Sequence, residues 1–345
     1  MFKIVIDKAI PFIRGVFENY AEVLYQDGNA IGPQDVADAD ALIIRTRTAC
    51  NESLLEGSRV KLIATATIGT DHIDMDYCRS RGIHVQNASG CNAGAVMNYV
   101  LSAVYGAASR MRLNLQGTTV GIIGAGNVGS RVARTMGLLG FKVLLNDPPR
   151  AEDEGPAQFC ELDYLLRNSD IVTMHVPLTP QTRGMADAAF FSKMKLGSFF
   201  VNAARGEIID ENALISASEK FGALIIDTWI GEPDVNLELL RVTDIATPHI
   251  AGYSYQGKLN GTAMVVRAVA RYLRIKELYE FFPKTADQPA DAVKLNLRGK
   301  PQGQIASILQ YNYPIFTDDF MFRMNPASFE SLRENYCYRR EFFID

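Results

Sequence analysis

Short apolar runs, each ended by small or polar residues, recur along most of the chain. KIVID (3–7), ALIIRT (41–46), KLIATATIGTDHID (61–74) and GIHVQNA (82–88) read as strands, with an amphipathic stretch around 12–23 after the first. Residues 92–113 are helical in composition and long enough to connect two domains. A second series begins at 119–147, TVGIIGAGNVGSRVARTMGLLGFKVLLND, which reads strand, glycine turn, helix, strand. Further strands are expected at DIVTMHV (170–176), SFFVNAA (198–204), GALIIDTW (222–229) and DIATPHI (244–250), and a long helix at about 254–279. Strand and helix alternating in this way predict parallel sheets with ligands at the carboxyl edges of the strands.

The pattern changes near residue 280. PKTADQPADAVKLNLRGKPQGQ is polar and turn-rich, and 305–343 mixes aromatic residues with the arginine pair Arg339 and Arg340. The expected fold is therefore α/β: two Rossmann-like doubly wound parallel-sheet domains plus a small C-terminal α+β element suited to oligomerisation. A chain of 345 residues is long enough for two or three cores. With 48% hydrophobic residues, 21% charged residues and a net charge of −4, nothing points to a nucleic-acid partner. No apolar run approaches the roughly 20 residues that span a bilayer, and the amino terminus lacks a signal-peptide pattern, so a cytoplasmic protein is expected. Five scattered cysteines without a CxxC pair argue against a disulfide framework and against a metal site.

The glycine loop carries the first chemistry. Gly124, Gly126 and Gly129 follow a strand and open a helix, and Asp147 ends the next strand, which is the context a dinucleotide needs. Gly124 permits the turn, Gly126 lets the pyrophosphate approach the amides of Asn127 and Val128, and Gly129 lets helix meet strand. Asp147 is expected to accept from the adenosine ribose hydroxyls and repel a 2′-phosphate, favouring NAD; a solvated turn aspartate before Pro148 and Pro149 is the alternative.

Three polar residues then follow apolar runs: Arg205 in NAARGEIID, Glu232 in WIGEP and His249 in TPHIAG. A 2-hydroxy-acid dehydrogenase needs a cation for the carboxylate, a base for the hydroxyl proton and a group that orients the base. Arginine, histidine and glutamate supply these; a structural Arg205–Glu232 ion pair is the alternative. Of the other histidines, His72 is expected to fix a loop, His84 to lie in a strand, and His175 to end a strand beside the cofactor.

GTDHID, GAGNVG, HVPLTPQT, NAARGEIID, GEPD and TPHIAGY, in this order, resemble the D-isomer-specific 2-hydroxyacid dehydrogenase family over residues 1–275. NDPPRAEDEG and the tail FESLRENYCYRREF narrow the likeness to a branch with a C-terminal dimerisation domain that acts on a phosphorylated acid. The resemblance implies NAD-linked oxidation of a small phosphorylated 2-hydroxy acid by a homodimer, without nucleic-acid or membrane partners. It implies a discontinuous substrate-binding domain (1–91 and 254–279), an NAD-binding domain (92–253) and a dimerisation domain (280–345). His249 matches the proton carrier, Glu232 its support and Arg205 the substrate-binding arginine. Asn127, Val128, Asp147, Val176, Ala203, Ala204, Arg205, Asp227 and Gly252 match NAD contacts, and Thr46, Thr67 and Tyr253 match substrate contacts. Asn98 stands where many members carry a glutamate, a change expected to alter an interdomain contact. For the substrate phosphate the candidates are Arg45 and Arg47, with Arg339 and Arg340 reaching across a dimer as a further idea. Another D-2-hydroxyacid dehydrogenase, of phosphoglycerate or hydroxypyruvate type, and an NAD-sensing binding protein of corepressor type are the competing readings.

Overall fold

The structure is a computed structural model that describes residues 1–285 and 290–344. Residues 286–289, part of the polar stretch read as turn-rich, and Asp345 lie outside the described residues. The contacts divide the chain into two compact units, Met1–Asn92 with Tyr255–Asp291, and Ala93–Ser254 with Ala292–Asp345.

The first unit holds a five-stranded parallel sheet in the order β2-β1-β3-β4-β5, with β1 Phe2–Asp7, β2 Ala21–Gln26, β3 Ala41–Ile44, β4 Leu62–Thr65 and β5 His84–Asn87. The sequence explains the placement. β3 (ALII) and β4 (LIAT) are buried throughout because both sheet faces are covered, whereas β5 (HVQN), at the edge, is largely exposed. The amphipathic stretch 12–23 forms turns up to Tyr20 and then enters β2, a strand the sequence did not single out. Ile13 and Phe17 are buried as an amphipathic helix would bury them, but Phe12 (φ 61°) and Gly15 (φ 81°) adopt left-handed conformations that no helix accepts. The helix Tyr255–Leu273 places Val265, Val266, Val269 and Ala270 in the core over this sheet.

The second unit holds a six-stranded parallel sheet, β11-β10-β9-β8-β6-β7, with β6 Thr119–Ile123, β7 Lys142–Asn146, β8 Ile171–Met174, β9 Phe199–Asn202, β10 Ala223–Ile226 and β11 Ile245–Ala246. β8, β9 and β10 are again continuous buried runs. The helix Ala93–Met111 is buried from Ala93 to Ala108, which explains why it lacks a polar face.

The closing segment, set apart by the sequence reading from residue 280, groups by its contacts with the second unit from Ala292 onward. Helices Gln302–Asn312, Ile315–Met324 and Phe329–Glu334 and a two-stranded parallel sheet, β12 (Val293–Leu295) with β13 (Phe342–Ile344), make it up. Leu297, Leu309, Tyr313, Ile315 and Phe342 join the same apolar cluster as Tyr99, Val100 and Val201. The segment also closes the β11 edge: Asp319 accepts from Ala246 N at 2.7 Å, while Arg323 donates to Leu240 O and Thr243 O at 2.8 and 2.6 Å.

Candidate active site

In the second sheet the strand order reverses between β6 and β8, which places the ligand crevice at the loops that follow these strands. Gly124 turns out of β6 with φ 87°, and a Cβ there would lie 2.7 Å from the His175 carbonyl carbon and 2.9 Å from Val176 Cγ1. Only glycine lets the two loops close on each other. Gly129 sits against Gly124 O with no room for a side chain, so the helix Asn127–Leu138 rests directly on the turn. That helix begins at Gly126 without a capping side chain, and no atom lies within 4 Å of a Cβ built on Gly126. An uncapped positive helix end beside open space suits a pyrophosphate at Asn127 and Val128.

Asp147, at the end of β7, accepts from Ala125 N at 2.7 Å and from Arg150 N at 3.2 Å. It thus ties the glycine turn to the helix Pro148–Glu154, whose first residues are the two prolines, and is not a solvated turn aspartate. Arg150 bridges the same parts, donating to Ala125 O at 2.5 Å and to both Glu154 oxygens at 2.6 and 2.7 Å.

The three candidate catalytic residues emerge from adjacent strands. Asn202 of β9 and Ala246 of β11 both pair with Ile226 of β10, and Arg205 and His249 each stand three residues beyond their strand's paired position. Asn202, which the sequence reading did not weigh, folds the first loop: its Oδ1 accepts from Ala204 N at 3.1 Å and its Nδ2 donates to Arg205 O at 2.8 Å. Ala203 and Ala204 lie within this turn, and Arg205 Nη1 donates to Ala204 O at 2.7 Å. An asparagine immediately after an apolar strand is the signal that would have found it.

His249 Nδ1 meets Glu232 Oε2 at 2.8 Å, so the glutamate pairs with the histidine. The other glutamate oxygen accepts from Trp229 N at 2.9 Å. Burial pushes the Glu232 carboxyl up, but the charge and hydrogen bond of His249 and the Trp229 N–H outweigh it and leave the group below its ordinary value. An ionised Glu232 holds His249 Nδ1 as the donor and leaves Nε2 for chemistry.

The loop carrying His249 is held on several sides. His249 itself has φ 55°, a left-handed conformation that costs a non-glycine residue about 1 kcal/mol. Asp227, buried below it, accepts from Thr247 Oγ1 (2.6 Å), Ile250 N (2.8 Å) and Ala251 N (3.0 Å). This loop-holding use of Asp227 is additional to the cofactor contact expected of it. Trp229 Nε1 donates to Thr247 O at 2.9 Å, and Gly252 lies in the turn closed by Tyr253 N on Ile250 O at 2.8 Å. Tyr253 packs against Tyr336 and Tyr338 with ring centres 5.9 and 6.0 Å away.

His175 is different in kind. Desolvation pushes it down to about 3, so it stays neutral at ordinary pH, with Nε2 3.0 Å from Thr173 Oγ1.

In the first unit, Thr46 and Thr67 each follow by two residues the paired positions Ile44 and Thr65, at the carboxyl ends of β3 and β4. Thr67 Oγ1 lies 2.7 Å from Thr65 Oγ1, and His72 Nε2 reaches Thr65 Oγ1 at 3.4 Å, as a loop-fixing histidine would. Arg45 Nη1 donates to Ala9 O at 3.1 Å, across the β1/β3 point where this sheet's order reverses.

Asn98 bonds to the closing segment: its Nδ2 donates to Phe342 O at 2.8 Å and its Oδ1 accepts from Phe342 N at 3.0 Å, a reciprocal pair that a glutamate lacks the donor to make. One expectation is corrected. Arg339 does not extend outward toward a phosphate; its guanidinium is turned into its own unit and bonds to backbone carbonyls of the His249 loop.

Residues 95–251 match the family model described as D-isomer specific 2-hydroxyacid dehydrogenase, NAD binding domain. The chain belongs to the D-isomer-specific 2-hydroxyacid dehydrogenase family, an NAD-dependent oxidoreductase family. Its relatives include proteins named erythronate-4-phosphate dehydrogenase from Bacteroides fragilis, 42% identical over 98% of this chain and 97% of the relative, and from Escherichia coli, 38% identical over 98% and 92%. Among solved structures, the D-lactate dehydrogenase of Aquifex aeolicus complexed with NAD and lactic acid aligns with a TM-score of 0.66 at 26% identity, over 81% of this chain and 98% of that one. The NAD-bound 3-phosphoglycerate dehydrogenase of Entamoeba histolytica aligns at 0.67 and 26%, over 79% and 95%.

Proposed function

We propose that this protein oxidises 4-phospho-D-erythronate to (R)-3-hydroxy-2-oxo-4-phosphooxybutanoate with NAD, a step of vitamin B6 biosynthesis, as a cytoplasmic homodimer. The observation that carries the reading is the 2.8 Å His249–Glu232 pair at the carboxyl edge of an NAD-binding sheet, in a chain 42% identical to a relative named for that substrate.

Bound NAD would supply the acceptor for the hydride that leaves C2 of the acid. Arg205 presents a planar fork to the substrate carboxylate. His249 Nε2 takes the hydroxyl proton as the C2–O bond becomes a carbonyl, and ionised Glu232 stabilises the imidazolium that forms. Gly124, Gly126, Asn127, Val128 and Gly129 hold the pyrophosphate and Asp147 the ribose, while Val176, Ala203, Ala204, Asp227 and Gly252 line the remaining NAD contacts. Thr46, Thr67 and Tyr253 contact the substrate, with Arg45 and Arg47 flanking Thr46 as cations for its phosphate. Dimerisation through the closing segment is supported by the exposed apolar side chains Phe320, Met321 and Met324 of one helix. No described helix is long and apolar enough to cross a membrane.

A panel of 2-hydroxy acids with and without a 4-phosphate tests the reading. NADH should form fastest from 4-phospho-D-erythronate, and His249→Ala should abolish turnover while NAD still binds. Binding of NAD without turnover of any hydroxy acid would favour the corepressor-type binding protein instead.

A further inference from the structure

We propose that Arg339 is a positioning residue for His249, so that the closing segment of the chain is a working part of the active site as well as a docking element. The inference rests on the reading of His249 as the proton carrier.

Arg339 precedes β13 and lies along the His249 loop, where its backbone bridges to Ser254. Its guanidinium divides four donor contacts among fixed acceptors. Nη1 donates to Ile250 O at 3.2 Å and to Tyr336 Oη at 3.1 Å; Nη2 donates to Ala251 O at 2.5 Å and to Ala95 O at 3.2 Å. The ring of Tyr313, itself fully buried, lies 3.9 Å below the guanidinium carbon.

The two loop contacts matter most when set beside Asp227. Asp227 accepts from the N–H groups of Ile250 and Ala251, and Arg339 donates to the C=O groups of the same two residues. The residues immediately after His249 are therefore gripped through both their donors and their acceptors, one side by an anion and the other by a cation. His249 sits one residue upstream in a left-handed conformation, which survives only where neighbours impose it. Removing Asp227 or Arg339 leaves one set of grips, and the imidazole is then free to shift with its loop. A displacement of about 1 Å at a catalytic group can cost about 100-fold in rate. A lysine is no substitute, because a single ammonium cannot fork to two consecutive carbonyls and also lie flat on Tyr313.

The test uses the full chain with Arg339→Ala and Arg339→Lys, each checked for folding by circular dichroism. Expected in Arg339→Ala are a fall in kcat of about 100-fold, a Kd for NAD by calorimetry within about threefold of wild type, and recovery of at least about tenfold on adding methylguanidinium. Arg339→Lys should remain as slow as the alanine variant. A loss that merely follows the folded fraction and is not rescued, or a folded variant with unchanged kcat, would overturn the proposal. A second readout does not need turnover: in protein labelled with ¹⁵N-histidine and saturated with NAD, the His249 Nδ1–H resonance, bonded to Glu232, should shift or broaden in Arg339→Ala and return with methylguanidinium. An unchanged resonance overturns the positioning role. Absence of wild-type turnover would instead count against the functional reading, and the resonance would still decide the role of Arg339.

Discussion

Asn98 offers a quantitative test of how the closing segment is held. The side chain is 1% exposed and forms a reciprocal pair with the backbone of Phe342, at 2.8 Å through Nδ2 and 3.0 Å through Oδ1. In Asn98→Leu, with similar volume, the Phe342 N–H and C=O both lose their side-chain partner. Each buried group left unsatisfied costs about 1–3 kcal/mol, so a destabilisation of about 4 kcal/mol is expected, or roughly 10 °C in the transition of this unit. Asn98→Asp separates the two bonds. Its carboxylate still accepts from Phe342 N, but the second oxygen then faces the Phe342 carbonyl, and only the protonated acid restores that bond. The folded acid therefore has a raised pKa, its penalty is absent below the unfolded value near pH 4, and it grows by about 1.4 kcal/mol per pH unit above that until the folded pKa is reached. Urea unfolding from pH 4 to 7, with hydrogen exchange of the peptide containing Phe342, measures both variants. A leucine variant as stable as wild type, or an aspartate penalty that does not vary with pH, would refute this account.

Three other expectations follow from the site. Glu232→Gln keeps the size of the side chain but removes its charge, and should lower kcat by about 100-fold with the calorimetric Kd for NAD within about threefold; equal loss in both would argue for a cofactor role. Gly124→Ala should weaken NAD binding at least about tenfold and destabilise the fold by about 1–3 kcal/mol, since the new Cβ would meet the His175 carbonyl at φ 87°; wild-type titration curves would contradict the geometry. His175→Gln should make the protein less acid-sensitive. The unfolded histidine gains its proton near pH 6.5 and the folded one only near about 3, so this group removes up to about 1.4 kcal/mol of stability per pH unit as pH falls between those values; identical pH–stability curves would disprove it.

The strands that the sequence makes legible are the ones whose burial is symmetric. ALII at β3 and β10, IVTM at β8 and FFVN at β9 are apolar throughout because helices or loops cover both faces, and the glycine loop is legible because its spacing encodes a steric need. The Arg205, Glu232 and His249 set is legible because each ends such a run. β2 is not, since AEVLYQ is an edge strand with mixed exposure and follows turns that bury Ile13 and Phe17 at helix-like spacing. Nor are the second role of Asp227 and the contacts of Asn98 and Arg339. Tyr336 apart, those depend on partners 20 to 244 residues away in the chain, which no local pattern records.

Trp229 gives the site its own lamp. The chain has a single tryptophan, and it is buried where its indole N–H holds Thr247 O, its backbone N–H holds Glu232, and its ring packs 5.7 Å from Phe322 of the closing segment. Every ultraviolet-excited indole photon from this protein therefore originates at the junction of the histidine loop, its glutamate and the tail. Emission wavelength and quenching report that junction without a label, and energy transfer from Trp229 to bound NADH would read cofactor occupancy during turnover. A substitution that loosens the loop should shift the emission to longer wavelength before any global unfolding is seen.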